Sequence, residues 1–244
     1  MNIWRCCLCL LLIGPLLAPA ASMAQSLTVT GRVTLLAPAS RGRPADNSNA
    51  VVYLTPLQRI IPAPPVKKAP ELRRYQLVQK NKRFIPHILV VPVGAEVEFP
   101  NHDPFFHNVF SLFEGKRFDL GLYEAGATRT ITFNTPGVSY IFCNIHPEMS
   151  AAVIVVKYPY YAVSNATGEV TMSAVPAGRY RLYIWHERCL PEALSSLSRE
   201  IDLSPGSPSL GELRVPESGD LLSKHKNMYG RDYDPNASSY PASF

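Results

Sequence analysis

Cys143-Asn144-Ile145-His146-Pro147-Glu148-Met149 is the stretch on which this chain's reading turns. It puts a thiolate, an imidazole and a thioether on one short loop. A second imidazole, His107, stands 36 residues upstream of the cysteine. One Cys, two His and a weak Met make up the ligand set of a trigonal blue-copper centre. Soft sulfur favours Cu(I) and imidazole serves both oxidation states, so this donor set suits single-electron traffic.

The sequence around the loop says how it would be held. Residues 138–142 read as a strand that delivers Cys143 at its end, on the face shared by Ser139 and Ile141. A turn containing Pro147 follows, then a strand over 151–156, whose last four residues are continuously apolar, as for a strand covered on both faces. His107 must arrive from another strand end, and 108–112 reads as that strand. Three ligands on one loop and a fourth brought by the fold make the site depend on folding.

Further out, valine, threonine, tyrosine and isoleucine recur in short runs broken by Gly, Pro and Asn, which reads as an all-β chain. Strands are expected over 27–35, 50–54, 87–93, 95–100, 129–133 and 179–185, with Gly94 as the turn between the third and fourth. Val97 and Phe99 point to one face, Glu96 and Glu98 to the other. No segment keeps a helical period over three turns, and 190–198 is the best candidate for one short helix.

Residues 1–24 read as an export signal: one basic side chain at Arg5, an apolar run over 6–21 interrupted by Gly14, Pro15 and Pro19, and small residues at Ser22 and Ala24 before the expected cut. No later stretch approaches the roughly 18 apolar residues needed to span a bilayer. The expected location is therefore periplasmic, with no stable membrane span. Cleavage removes Cys6, Cys7 and Cys9 and leaves Cys143 and Cys189, so a disulfide scaffold is excluded and Cys189 reads as a small buried residue.

Loss of Arg5 takes the net charge from +5 to +4. Much of the excess is local: Lys67, Lys68, Arg73, Arg74, Lys80, Lys82 and Arg83 face only Glu71. Such a patch fits an acidic redox partner, an anionic lipid surface or a solvated linker. Nucleic acid is not an expected partner of an exported chain with no binding motif. The segment 61–74 reads as a basic, Pro-rich linker and 217–244 as an extended or disordered tail.

Residues 75–157 resemble a cupredoxin of the plastocyanin and amicyanin type. The resemblance is carried by Phe84-Ile85-Pro86, Pro92-Val93-Gly94, Val97-Glu98-Phe99, the run from Asn101 to Asn108, and the loop from Cys143 to Met149. It implies a Greek-key β-sandwich holding one copper ion, with His107, Cys143 and His146 as equatorial ligands and Met149 as the axial one. It implies that Asn108, and less directly Asn101, orient the ligand loops by hydrogen bonds. It also implies that the edge of His146 emerges through an apolar docking patch of Phe105, Phe106 and Pro147.

Zinc would accept Cys and His, but Met is not among its usual ligands. A binuclear copper centre wants a second Cys in the loop, and a multi-copper enzyme wants further His in a second cluster. The chain therefore reads as an electron carrier and not an enzyme. A copper-binding or delivery protein and a scaffold module with a copper site are the alternatives. His102 and His87 read as loop or strand-end residues.

Residues 25–60 and 158–216 together resemble a transthyretin-related, carboxypeptidase regulatory-like β-sandwich, split by the copper domain. A separate N-terminal hairpin is the alternative arrangement. Trp185-His186-Glu187 reads as structural. The whole pattern also resembles bacterial methylamine-utilisation-type proteins, which implies a place beside amine oxidation.

Overall fold

The computed structural model describes residues 26–36, 46–58, 74–112, 115–219 and 225–233. The export signal over 1–24, and all of the expected linker but Arg74, lie outside them. The described strands are β1 (Ser26–Leu36), β2 (Val51–Pro56), β3 (Tyr75–Gln76), β4 (Val78–Gln79), β5 (Phe84–Ile85), β6 (Ile88–Pro92), β7 (Ala95–Pro100), β8 (His107–Ser111) and β9 (Phe118–Tyr123). They continue with β10 (Thr128–Phe133), β11 (Gly137–Cys143), β12 (Ser150–Val156), β13 (Tyr161–Val163), β14 (Glu169–Pro176), β15 (Gly178–Trp185), β16 (Arg199–Leu203) and β17 (Ser209–Pro216). One helix, α1 (Pro191–Leu197), precedes β16. Pro191 opens it without losing a needed N–H, Glu192 sits in its first turn, and Leu194 is its buried residue.

The chain is all-β, built of sheets stacked as sandwiches. A five-stranded sheet, β6-β12-β11-β8-β9, faces a three-stranded sheet, β10-β7-β3. The chain crosses from one to the other after β6, β7, β9 and β10. The first crossing turns at Gly94, whose φ of 86° suits glycine. Val97, Phe99, Val109, Phe133, Ile141 and Val153 fill the space between these sheets. Val97 and Phe99 are buried and Glu96 is exposed, as alternation predicts.

Two further sheets follow the orders β14-β1-β17 and β13-β2-β15-β16. β1 runs antiparallel to β14 and parallel to β17, while β2 runs antiparallel to β13 and β15. β1 and β2 thus lie in different sheets and do not pair as a hairpin. Strands that precede and follow residues 75–156 in sequence close this pair of sheets together. Gly168 lies in the turn before β14. A Cβ there would sit 1.9 Å from the Val33 carbonyl oxygen, so the turn admits only glycine.

β12 explains its own apolar run. Ala151, Val153 and Val155 join the first core, while Ala152, Ile154 and Val156 join the second. Ile88 and Val90 of β6 do the same on the second side. Each such side chain stabilises by about 1.5–3 kcal/mol when buried, so a strand covered twice keeps no polar residue after its first. Across this junction Tyr140 meets Trp185, ring centroids 6.4 Å apart, and His87 Nε2 lies 2.5 Å from a Glu187 carboxylate oxygen. Among the described residues no helix is long and apolar enough to cross a membrane.

Residues 217–219 and 225–233 of the expected tail carry no strand or helix and pack on the rest of the chain. Glu217 donates its backbone N–H to the Leu36 carbonyl and pairs with Arg188, and residues 225–233 fold back onto β11. A polar composition predicts poor core formation, but here the segment uses a core already built.

Candidate metal centre

β11 ends on Cys143, and alternation aims its sulfur inward with Ser139 and Ile141, all three buried. β8 begins on His107, antiparallel to β11, with Val109 opposite Cys143. That register carries His107 to the same end of the sandwich. The loop after Cys143 closes on itself: Cys143 donates its N–H to the Met149 carbonyl at 3.2 Å, and Met149 donates to the His146 carbonyl at 3.0 Å.

Three donor atoms converge there. Cys143 Sγ lies 3.7 Å from His107 Nδ1 and 3.6 Å from His146 Nδ1, and the two Nδ1 atoms are 3.1 Å apart. Donors bonded at about 2.0–2.3 Å to a single ion stand roughly 3.4–3.8 Å from one another; both sulfur–nitrogen separations fall in that range, and the two Nδ1 atoms stand somewhat closer than it. His107, Cys143 and His146 are therefore a buried group that can hold a metal ion. Met149 is also fully buried, in the same core as Cys143.

Electrostatics agree with that use. Burial holds His107 below its ordinary range, and it pushes His146 down to about 4, with the neighbouring His107 adding to the effect. Both imidazoles are thus neutral at neutral pH. Burial pushes the Cys143 thiol up, while the backbone N–H groups of Asn108, Ile145 and His146 pull it back by donating to the sulfur. The neighbouring N–H groups work against that burial, and a bound cation would favour the thiolate further.

Asp103 completes the site and was not foreseen. Its carboxylate lies 2.8 Å from His107 Nε2, both groups buried. That bond places the His107 proton on Nε2 and leaves Nδ1 free to ligate. The same carboxylate accepts the N–H groups of Asn81 at 2.6 Å and Lys82 at 3.0 Å. Both residues have positive φ at the tip of the β4–β5 hairpin. Burial alone would raise Asp103, but the Lys82 N–H, His107 and the Asn81 N–H outweigh it and hold the carboxyl below its usual range. A carboxylate four residues ahead of the first His was the available signal.

Asn101 and Asn108 are both buried near the candidate ligands, and their side chains bond to different partners. Asn101 is fully buried, donates to the Phe105 carbonyl at 2.8 Å and accepts the Asp103 N–H at 3.0 Å. It shapes the loop that presents Asp103. The Asn108 side chain donates to Asp119 of β9 at 2.7 Å and leaves its oxygen without a protein partner, so its link to the Cys143 loop is through its backbone N–H. At this point β8 pairs with β9, which brings Asp119 within reach of the Asn108 amide.

Phe105 is half-buried and packs its ring against both imidazoles, 5.2 Å from His107 and 5.5 Å from His146. It walls the site from water. Phe106, Pro104 and Pro147 are exposed beside it. Lys82 Nζ stands 5.7 Å above the Phe105 ring. Lys67, Lys68 and Arg73 of the basic stretch lie outside the described residues. His102 is exposed, and His87 is engaged by Glu187 and the Ser150 carbonyl. His186 and Cys189 are buried in the other core, 4.0 Å apart, and burial pushes the Cys189 thiol up to about 11.

No protein-family model matches the chain, and the curated proteins hold no significant match. Solved structures do. A copper-containing nitrite reductase from Thermus scotoductus is 27% identical at a TM-score of 0.33, covering 34% of this chain and 22% of that one. A purple cupredoxin from Nitrosopumilus maritimus is 26% identical at 0.31, over 34% of this chain and 99% of that one. A Cu(I) amicyanin variant is 20% identical at 0.33, over 34% and 82%. This chain thus spans about a fifth of the nitrite reductase it matches. At such TM-scores the likeness decides nothing by itself, and the metal reading stands on donor geometry.

Proposed function

We propose that this chain holds one copper ion between His107, Cys143 and His146, with Met149 as the weak axial donor, and carries single electrons between redox partners. The observation that carries the reading is the buried convergence of two Nδ1 atoms and one Sγ at separations of 3.1–3.7 Å. Those separations suit zinc as well as copper; the thioether on the same loop favours copper. Met149 is supported by its burial and by main-chain bonds to both Cys143 and His146.

A bound copper would supply one-electron chemistry. The chain's own part is to keep the surroundings unchanged during it. Asp103 fixes the His107 tautomer, and Phe105, packed on both imidazoles, keeps water out. His146 is 7% exposed, packs on Phe105 and precedes the exposed Pro147, while Phe106 is 50% exposed, which supports that edge as the place where a partner docks. Lys82 near the rim supports an acidic partner. Export to the periplasm, a regulatory-like scaffold role for the second pair of sheets, and a place beside amine oxidation remain parts of this proposal carried by the sequence.

The test is an optical spectrum of the purified chain loaded with Cu(II), beside Cys143→Ser. An intense thiolate-to-copper band with reversible bleaching on reduction is expected for the parent, and its complete loss for the variant. Tight Cu(I) binding without colour marks copper delivery instead, and colour surviving in Cys143→Ser refutes the ligand assignment.

A further inference from the structure

The segment 225–233 lies on the outer face of β11, behind the candidate ligand Cys143. Three contacts of different kinds converge on three consecutive residues. Tyr233 donates its hydroxyl to the Cys143 carbonyl at 2.8 Å. Met228 donates its N–H to the Asn144 side-chain oxygen at 2.9 Å. His225 stacks on Phe142, centroids 4.1 Å apart with planes at 22°, and its Nε2 lies 3.0 Å from the Tyr233 hydroxyl. Met228 also packs against the Phe110–Phe142 cluster.

These contacts are opposite in direction to those on the sulfur. Cys143 Sγ faces the two imidazoles and the inner core, while its carbonyl and its neighbours are held from outside by the tail. A tail resting on a surface would spread its contacts; this one concentrates them on one ligand and the residues either side of it. Polar groups buried in a low-dielectric setting fix geometry strongly when each has its partner.

We propose that residues 225–233 form a strap that positions Cys143, with Tyr233 as its principal hydrogen-bond donor, and thereby tunes the metal centre. The proposal rests on the copper reading above. The Tyr233 O–H dipole points its positive end at the Cys143 backbone, which favours the state with one more negative charge. Its removal therefore lowers the reduction potential. Removing the strap also lets Cys143 open more often to solvent.

Tyr233→Phe and His225→Ala are compared in the full chain with Tyr229→Ala, a change at a 72% exposed tail residue. Two readouts are taken: the reduction potential of the copper-loaded protein, and the alkylation rate of the metal-free protein at Cys143, followed by peptide mapping. The strap predicts a downward shift in potential for Tyr233→Phe. It predicts alkylation about fivefold faster for Tyr233→Phe and His225→Ala, the scale of one neutral hydrogen bond. Tyr229→Ala should match the parent in both. Equal potentials and equal alkylation rates in all variants overturn the strap. A parent that binds no copper, with alkylation still accelerated in the two strap variants, overturns the copper reading and leaves the strap standing.

Discussion

The two pairs of sheets differ in where they keep their buried polar groups. Of ten buried polar or charged side chains among the described residues, eight lie between Gln79 and His146. The other pair of sheets buries only Ser164 and His186, and packs Val29, Val33, Leu54, Met172, Tyr180 and Leu182 into an apolar core. Polar burial is unfavourable unless each group finds a partner. Around His107 the first sandwich meets that need, since Asn101, Asp103 and the β4–β5 hairpin satisfy one another, while Gln79 Oε1, Asn108 Oδ1 and Ser111 Oγ are buried without a protein partner. One body thus has an almost wholly apolar core, and the other keeps a polar end around a group that can hold a metal ion.

The sharpest way to break this contrast is to damage the frame alone. Leu182 is fully buried in the second core. Leu182→Ala should lower unfolding free energy by about 2–5 kcal/mol, the range for a large-to-small change in a packed core. The thiolate band of the copper-loaded protein should keep its position, because Leu182 belongs to the second core and Cys143 to the first. Chemical denaturation measures the first and an optical spectrum the second. A displaced band would mean that the two bodies are one functional unit.

Asp103 tests the opposite side with a smaller effect. Asp103→Asn keeps the shape and removes the charge that orients His107 and clamps Asn81 and Lys82. Partners of this kind are worth about 10–100-fold in metal affinity. Competition with a chelator should show a loss in that range, with unfolding changed less than in Leu182→Ala. Unchanged affinity would show that Phe105 and Asn101 suffice to orient the ligand.

How much of this could be read from the chain alone follows the range of each interaction. The loop from Cys143 to Met149 was legible because its donors are sequence neighbours. The strands flanking it were legible because alternation is local, and the double burial of β12 showed as an unbroken apolar run. Asp103 was not legible, since its meeting with His107 depends on how the 101–106 loop turns. The Asn108 side-chain bond to Asp119 depends on a register irregularity between β8 and β9 that no pattern announces. The β3 strand is two residues long and pairs in parallel with β7, too short for a period. The docked tail escaped notice because its contacts use a few polar and aromatic groups against a surface made elsewhere.

Met149 carries the smallest and most selective effect, and it separates the donor role from the packing role. Met149 is fully buried beside Cys143 and contributes to the first core whether or not its sulfur ever meets a metal. Leucine fills nearly the same volume, and such exchanges cost less than about 1.5 kcal/mol. Met149→Leu should therefore fold like the parent and keep its colour. If the thioether is an axial donor, its loss removes electron density that favours the oxidised ion, and the reduction potential rises. Voltammetry of parent and variant reads this directly. An unchanged potential would assign Met149 to the core, and the polar end of the first sandwich would then need only three of its four expected donors.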